Sequence, residues 1–561
     1  MFSSAEEPRL TNKDKLKLFL IVHWRGIICV FVPLLFVVIL LPFPPQPYQW
    51  TAYCLMVMAV FWVSECIPLA VTSFLPIIVF PLAGVSGTVD VCKCYINDSI
   101  VMFLGSLILA YSVEQCGLHE RLAYVAIRSI GYSHVRLLLA MSVVTTFVSM
   151  WITNTAATTM MVPINFAVLK VFEDQKLLRI YDTTSDGEKI ASDITICYFC
   201  VATFSATIGG IGTLVGTATN LVFKGLFITA YPEAPEYLSF PKFSAFGVPY
   251  MILMVTFMLL NMLIMYIGFL RPKSEVAKKN KISPEGLEAA KQTVEALYAK
   301  LGPVSFWEAM VILLFGGAMV AFFCRSPQIF TGWGDLIKDY FELTDAKFVR
   351  DSALAALVTF LMFLLPSNLS FFQNCKAKFY EDFPKNRVRS VLDWKSLISA
   401  LPFSFTFLLG GGFALSDAAK KTGLNDKIGD VLQQLKFLPN ILILLIVIIF
   451  VVVLTNIASN VATANVLCPI SMTLAKEIGQ NPLWYVIASG FSASYCFMLP
   501  IGTPGNLVVQ SAAKIPTMKM MKAGLGPTIS TIIITWLAVY FYAPLIWPDL
   551  HSLPDWAKSK V

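Results

Sequence analysis

The chain has 561 residues, of which 57% are hydrophobic and 14% are charged, with a formal net charge of +7. A soluble domain carries charge on about a quarter of its residues, so this composition excludes an ordinary globular protein. Long apolar stretches recur along the whole length, which predicts an all-α polytopic membrane protein with about 11 transmembrane helices.

The first half of the chain begins with a basic segment and continues through two groups of apolar helices. Residues 1–25 carry several Lys and Arg and are predicted to be a cytoplasmic N-terminus. Residues 26–133 contain apolar spans and an amphipathic connector, which we interpret as scaffold helices. Residues 134–270 contain a hairpin, a broken span and a final helix, which we interpret as elements of a separate transport domain.

The second half repeats this plan after a charged interruption. Residues 271–308 are predicted to be a cytoplasmic linker. Residues 309–436 repeat the scaffold helices and the connector, and residues 437–548 repeat the hairpin, the broken span and the final helix. Residues 549–561 are then predicted to be an extracellular C-terminus.

Basic residues set this orientation. Lys and Arg concentrate in the N-terminal segment, in residues 271–300 and in residues 367–391. All three stretches fall on the cytoplasmic side only if each hairpin enters and leaves the membrane on the same side. A helix over residues 137–152 spans roughly 24 Å, which is shorter than the ~30 Å hydrocarbon core. We therefore predict two re-entrant hairpins with their tips near the middle of the membrane.

The two hairpins carry the same motif. Residues 149–164 read SMWITNTAATTMMVPI and residues 455–470 read TNIASNVATANVLCPI, so a shift of 306 residues places Asn154 on Asn460. Interrupted apolar segments at matching positions in two halves are typical of secondary transporters built from inverted-topology repeats. In such proteins the substrate lies between the repeats, which makes the two tips the candidate site.

The segments that would form this site contain no charged side chain. Residues 137–169, 194–223, 437–475 and 478–513 lack Asp, Glu, Lys and Arg, and two of them share the pattern Gly-Thr-x-x-Asn-Leu-Val. Such a site offers amides, hydroxyls and helix N-termini to the oxygens of an anion. Unwound carbonyls and Asn oxygens suit a monovalent cation, and a co-bound cation would help to neutralise a multivalent anion.

Other classes of function have less support. The chain has no nucleophile–base pair and no metal-ligand spacing, so we do not expect an enzyme, and no nucleic-acid partner is expected. Membrane lipid and small anions are the expected partners. An anion channel stays open as an alternative, although closed tips at mid-depth leave no obvious pore lining.

These motifs resemble those of the divalent-anion/sodium symporter family, whose members transport di- and tricarboxylates or sulfate. The resemblance covers almost the whole chain. It implies an elevator-type mechanism and a homodimer joined through scaffold helices. By the same resemblance we expect a multi-pass carrier of citrate, succinate and related anions in the plasma membrane, with a sulfate carrier of the same fold as the alternative.

The resemblance also assigns roles to individual residues. The implied substrate-binding positions are Thr153, Asn154, Thr155, Gly216, Thr217, Ser459, Asn460, Val461, Thr503 and Pro504. The implied sodium-binding positions are Ser149, Asn154, Gly216, Thr455, Asn460 and Gly502. No cofactor is expected apart from sodium as a coupling ion.

The chain departs from the family pattern near the implied sodium sites. The Pro-Pro pairs of the breaks become Ala218-Thr219 and Pro504-Gly505, and Asn456 stands where many sodium-coupled members have Glu. These changes predict weaker cation sites, with uptake that persists when choline replaces sodium. Sodium coupling, proton-linked transport and electroneutral exchange therefore all stay open at this stage.

Overall fold

The structure is a computed structural model that describes residues 11–41, 43–183, 188–271, 273–274, 284–343, 348–375, 377–379, 381 and 387–558. Parts of the predicted N-terminus, the cytoplasmic linker and the extracellular C-terminus, namely residues 1–10, 275–283 and 559–561, lie outside the described residues.

The first half contains twelve of the described α-helices. They are α1 (Asn12–Phe36), α2 (Pro47–Ser64), α3 (Leu69–Thr72), α4 (Leu75–Leu82), α5 (Thr88–Lys93), α6 (Asp98–Gln115), α7 (Leu118–Ile130), α8 (His134–Ser149), α9 (Asn154–Asp174), α10 (Asp193–Gly209), α11 (Ala218–Ala230) and α12 (Phe240–Met262). The first helix begins at Asn12, so residues 12–25 of the predicted cytoplasmic tail are helical. Two short strands, β1 (Tyr181–Thr183) and β2 (Lys189–Ala191), pair antiparallel in the polar linker between α9 and α10.

The second half contains the remaining described helices. They are α13 (Pro284–Lys300), α14 (Phe306–Phe323), α15 (Trp333–Tyr340), α16 (Asp351–Leu364), α17 (Trp394–Ala400), α18 (Ser404–Lys421), α19 (Leu424–Leu432), α20 (Asn440–Ile457), α21 (Asn460–Glu477), α22 (Pro482–Ser492), α23 (Pro504–Ala513), α24 (Thr517–Leu537) and α25 (Ala543–Ile546). The predominantly helical fold agrees with the expectation from composition.

Short polar side chains start several of these helices. The side chain of Asn97 accepts a hydrogen bond from the backbone N–H of Ile100 at the start of α6. Ser305 and Glu308 form a reciprocal capping box at the start of α14. These caps satisfy N–H groups that a helix leaves unpaired in its first turn, which fixes where an apolar run becomes helical.

Helix length and composition agree with a protein that crosses the membrane many times. Among the described residues, seven helical segments are long and apolar enough to span a membrane, and an eighth arises if the bent pair α17 and α18 is one span. That pair bends by 57°. Further apolar helices, such as α8 and α10, are shorter, so the predicted total of about 11 spans and the re-entrant hairpins stay predictions.

The two halves contain the same succession of elements. Each has a helical hairpin (α8–α9 and α20–α21), then a broken pair (α10–α11 and α22–α23), then a long helix, α12 or α24, that ends in a π-helical turn. The contacts are also exchanged between the halves. Helix α11 packs against α21 and α22, while α23 packs against α9 and α10. The site-forming helices of the two halves therefore form one interlocked core, and the inverted relation of the repeats stays a prediction.

Two glycines with the repeat spacing make reciprocal close contacts. A Cβ atom built on Gly105 would lie 2.6 Å from the Cβ of Ala355, and one built on Gly411 would lie 2.8 Å from the Cβ of Ser73. Each glycine thus lets a helix of one half approach the other half more closely than any side chain would permit. Small residues at such crossings are typical of packed membrane helices.

Buried charges join the helices predicted to form the scaffold to their neighbours. The guanidinium of Arg325, which follows α14, lies 2.5 Å from Asp351 at the start of α16, and Asp351 lies 3.2 Å from Lys224 on α11. On the connector α7, Arg121 pairs with Glu308 at 2.9 Å, and this hydrogen bond raises the pKa of the arginine. Removing one partner of such a pair would leave an uncompensated buried charge, so these contacts fix how α11 and α7 sit on the scaffold.

Candidate functional site

The candidate site is built on two hairpin tips. Helix α8 ends at Ser149 and α9 begins at Asn154, with Thr153 accepting a hydrogen bond from the backbone N–H of Ala156. In the second half α20 ends at Ile457 and α21 begins at Asn460. Both tips thus present the N-terminus of a helix, where backbone N–H groups are unpaired and carry partial positive charge.

Two broken spans complete the site. The break between α10 and α11 is held by Asn220, whose amide nitrogen donates to the carbonyl oxygens of Gly210 and Thr213 at 2.9 and 2.8 Å. The break between α22 and α23 is held in the same way by Asn506, which donates to Cys496 and Leu499 at 3.0 and 3.1 Å. The repeated Asn thus braces each unwound loop through its amide, and neither Asn220 nor Asn506 is among the residues that line the cavity.

An oxygen cluster lies behind the first tip. The hydroxyl of Ser149 donates to the carbonyl oxygen of Ala206 at 2.7 Å and lies 2.8 Å from the side-chain oxygen of Asn154. A Cβ atom built on Gly210 would lie 2.5 Å from that Asn154 oxygen and 3.1 Å from the carbonyl oxygen of Gly216. These oxygens thus converge on the space that the missing side chain of Gly210 leaves open.

A matching cluster lies behind the second tip. The Thr455 hydroxyl donates to the carbonyl oxygen of Ala493 at 2.5 Å. One of the two terminal atoms of the Asn460 side-chain amide points at this cluster. It lies 2.9 Å from the Thr455 hydroxyl, 3.3 Å from the Ala493 carbonyl oxygen and 3.2 Å from the Gly502 carbonyl oxygen. Such a group of oxygens is stabilised either by a cation or by turning the amide so that its nitrogen donates to them.

The donor set of both clusters fits sodium. Each combines a hydroxyl, a side-chain amide and backbone carbonyls of an unwound span, which are the ligands that membrane transporters offer to sodium. Ser149 and Thr455 are fully buried, so their hydroxyls are available only to neighbours inside the protein. Among the described residues, no group of three or more His, Cys, Asp or Glu could hold a metal ion, so a transition-metal site has no support there.

Asn456, which stands where many sodium-coupled members have Glu, braces the second loop. Its amide nitrogen donates to the carbonyl oxygens of Val452 and Tyr495 at 2.7 and 3.3 Å, and its oxygen accepts from the backbone N–H of Met498 at 3.1 Å. Both polar atoms are therefore used in holding residues 495–498 in place. Because an amide is uncharged, Asn456 places no negative charge beside the second cluster.

The two tips and the two breaks meet in a cavity of about 470 Å³. Its lining includes the predicted positions Thr153, Asn154, Thr155, Gly216, Thr217, Ser459, Asn460, Val461, Gly502, Thr503 and Pro504. The structure thus brings the predicted substrate positions together, with Ser149 and Thr455 behind them. A volume of this size is typical of sites for small molecules.

The opposite wall of the cavity was not predicted from the sequence. It is formed by α6, with Phe103, Leu107 and Tyr111, and by the bend before α18 and the first turn of that helix, with Pro402 and Phe405. Among the described residues that line the cavity, Glu114 is the only Asp, Glu, Lys or Arg. The carbonyls of Ala206 and Ala493 were also missed, because a backbone ligand leaves no signal in residue type.

Paired helix tips around a cavity, within many membrane-length helices, define a multi-pass membrane transporter rather than an enzyme. Residues 21–548 match the family model described as "Sodium:sulfate symporter transmembrane region", so this chain belongs to that family. The family resemblance inferred from the motifs is confirmed. The description of this family names sodium as the coupled ion.

Several curated proteins are similar over nearly the whole chain. "Protein I'm not dead yet" of Drosophila melanogaster is 37% identical, covering 96% of this chain and 91% of that protein. Solute carrier family 13 member 2 of Homo sapiens is 32% identical, with 95% of each chain covered. The Na(+)/citrate cotransporter of Rattus norvegicus is 31% identical, with 98% of each chain covered. Among solved structures, the Alcanivorax borkumensis YdaH transporter is similar with a TM-score of 0.49 at 14% identity, covering 82% of this chain and 86% of that one.

Proposed function

We propose that this protein carries di- and tricarboxylates such as citrate and succinate across the membrane. The observation that carries the proposal is the meeting of two helix N-termini and two Asn amides, Asn154 and Asn460, in one cavity. Two separate donor groups suit an anion whose carboxylates are also separate, and they suit a compact sulfate ion less well. Relatives named for citrate and dicarboxylate cotransport support the same substrate class.

Different residues of the site would bind the substrate and the cation. The backbone N–H groups that follow Thr153 and Ser459, together with nearby hydroxyls such as Thr503, would donate to the carboxylate oxygens. The oxygen clusters behind the tips would hold sodium through Ser149 and Thr455 with the loop carbonyls. Bound sodium would supply positive charge that partly neutralises the anion, a charge that no basic side chain supplies among the described residues of the cavity lining.

We propose sodium as the coupling ion, and one transport experiment tests substrate and coupling together. Purified protein in liposomes would be given labelled citrate, succinate or sulfate, with sodium or choline outside. We expect citrate and succinate to enter with sodium and their uptake to fall at least tenfold in choline. Uptake that persists in choline and is stimulated by internal citrate would contradict sodium coupling and would establish exchange. That outcome is the one predicted from Asn456 and from the altered Pro-Pro pairs of the two broken spans. Uptake of sulfate alone would contradict the carboxylate assignment.

We also propose that the protein lies in the plasma membrane with its N-terminus in the cytoplasm and its C-terminus outside. The three basic stretches support this orientation, and helix α13 from one of them packs against α7 and α9. In this orientation the sequon at Asn368 is cytoplasmic and is expected to carry no glycan. The other sequon, at Asn97, uses its side chain to cap α6 and to donate to Cys94. A glycosidase-sensitive glycan on Asn368 in expressing cells would contradict this orientation and indicate the opposite one.

The family resemblance further suggests a homodimer joined through the scaffold helices, with the hairpin-bearing core moving as an elevator. The interlocked packing of α9, α10, α11, α21, α22 and α23 supports a core that moves as one unit. Light scattering of the detergent-solubilised protein should give a mass of two chains, and a single-chain mass that still transports would contradict the dimer.

A further inference from the structure

The walls of the cavity differ in chemistry. The core side presents amides, hydroxyls and helix N-termini, all of which suit an anion. The side formed by α6 is mostly apolar, with Phe103 and Leu107 beside the hydroxyls of Ser106 and Tyr111, and it includes the acidic residue Glu114 in the last turn of that helix. An acidic side chain in a cavity for anions is the opposite of what binding alone would require.

The buried carboxylates Glu308 and Asp351 are paired, whereas Glu114 is an exposed residue without such a partner among the described residues. Glu308 pairs with Arg121, and Asp351 pairs with Arg325 and Lys224. In the part of the chain that the structure describes, no salt bridge or hydrogen bond involves the side-chain carboxylate of Glu114, whose backbone carbonyl accepts from the N–H of Gly117. The titratable groups near it are His119 on α7 and Tyr111 one turn earlier on α6. Glu114 is thus an exposed acidic residue of the cavity lining, where a transported anion comes near its charge.

We propose that Glu114 is a specificity-determining residue that discriminates among substrates by charge. The inference rests on the proposed carboxylate transport and deepens it. A fixed negative charge on the cavity wall repels each anion in proportion to the anion's charge, so a trianion is penalised more than a dianion. Glu114 thereby favours dicarboxylates, and partly neutralised tricarboxylates, over fully ionised citrate.

Coulomb's law sets the size of the effect. For charges roughly 10 Å apart and an effective dielectric constant between about 20 and 80, each added substrate charge changes the preference about 2- to 16-fold. Such a change is measurable as a ratio of two fluxes. The ratio isolates the effect of charge, because a general loss of transport lowers both fluxes alike.

The test is a comparison of exchange rates in liposomes. Citrate–citrate and succinate–succinate counterflow would be measured at the same pH and saturating sodium for the wild type, Glu114→Gln and Glu114→Asp. Counterflow is chosen because each cycle passes through the state with this open cavity, whichever way the protein inserts. The citrate-to-succinate ratio is expected to rise about 2- to 16-fold in Glu114→Gln and to stay unchanged in Glu114→Asp.

Two controls make the result decisive. Glu120→Gln removes a charge from an exposed position on α7 outside the cavity lining, and it should leave the ratio unchanged. Higher ionic strength should raise the ratio in the wild type by screening Glu114, a measurement that needs no variant. An unchanged ratio in Glu114→Gln, or a salt-independent ratio in the wild type, overturns the inference. Absence of both fluxes in the wild type would instead contradict the carboxylate function itself.

Discussion

Replacing Asn154 or Asn460 with alanine is expected to abolish carboxylate uptake while the protein still folds. Each side chain contacts an oxygen cluster on one side and lines the cavity on the other. Alanine therefore removes a substrate contact and a cation ligand together. If each lost contact with a charged group is worth about 1.5–3 kcal/mol, the combined loss lowers uptake by roughly 100-fold or more. Labelled citrate uptake into liposomes, normalised to folded protein, measures this effect.

Asn165→Ala provides a matched control. Asn165 is a fully buried amide on α9, the same helix that begins at Asn154, and its nitrogen donates to the carbonyl oxygen of Tyr198 at 3.2 Å. It does not line the cavity, so its loss should lower thermal stability but leave uptake per folded molecule within about twofold. Near-normal uptake by Asn154→Ala or Asn460→Ala would contradict a site built from both tips.

The repeated elements of the site could be predicted because they carry a repeated signal. An Asn flanked by hydroxyls inside an apolar run is uncommon, and its recurrence at a shift of 306 residues marks Asn154 and Asn460 together. Helix ends at these positions follow from the same motif, since Thr153 and Ser459 are short residues with the extended backbone of an N-cap. The N-cap residues and the repeat spacing thus indicated the same two helix starts.

The scaffold wall could not be predicted in this way. Glu114 and Phe405 reach the cavity only because α6 and the bend before α18 pack against the core, and nothing in their local sequence marks that contact. The role of Asn456 shows a different difficulty. A missing carboxylate near a cation site suggests a weaker site, yet the amide is occupied in bracing residues 495–498. Whether sodium binding is weaker depends on the cluster oxygens, which are mostly backbone atoms.

The first oxygen cluster can be tested without removing any of its ligands. Gly210→Ala adds a methyl group to the first break. This group would lie 2.5 Å from the Asn154 side-chain oxygen and 3.1 Å from the Gly216 carbonyl oxygen if nothing moved. The methyl group would occupy the space on which the oxygens converge, and an apolar group there excludes a cation. We expect the sodium concentration for half-maximal uptake to rise at least tenfold, with the Hill slope falling toward one.

Cys496 gives the matched control, because it occupies the same position in the second repeat as Gly210 in the first, at a shift of 286 residues. The second cluster therefore already accommodates a side chain at this point, and its thiol contacts the carbonyl oxygen of Leu499 at 3.5 Å. Cys496→Ala only shortens that side chain, so its sodium dependence should stay within about twofold of the wild type. If Gly210→Ala binds and transports with unchanged sodium dependence, the first cluster is not a sodium site, and the Ser149 hydroxyl and Ala206 carbonyl serve only to hold the tip against α10.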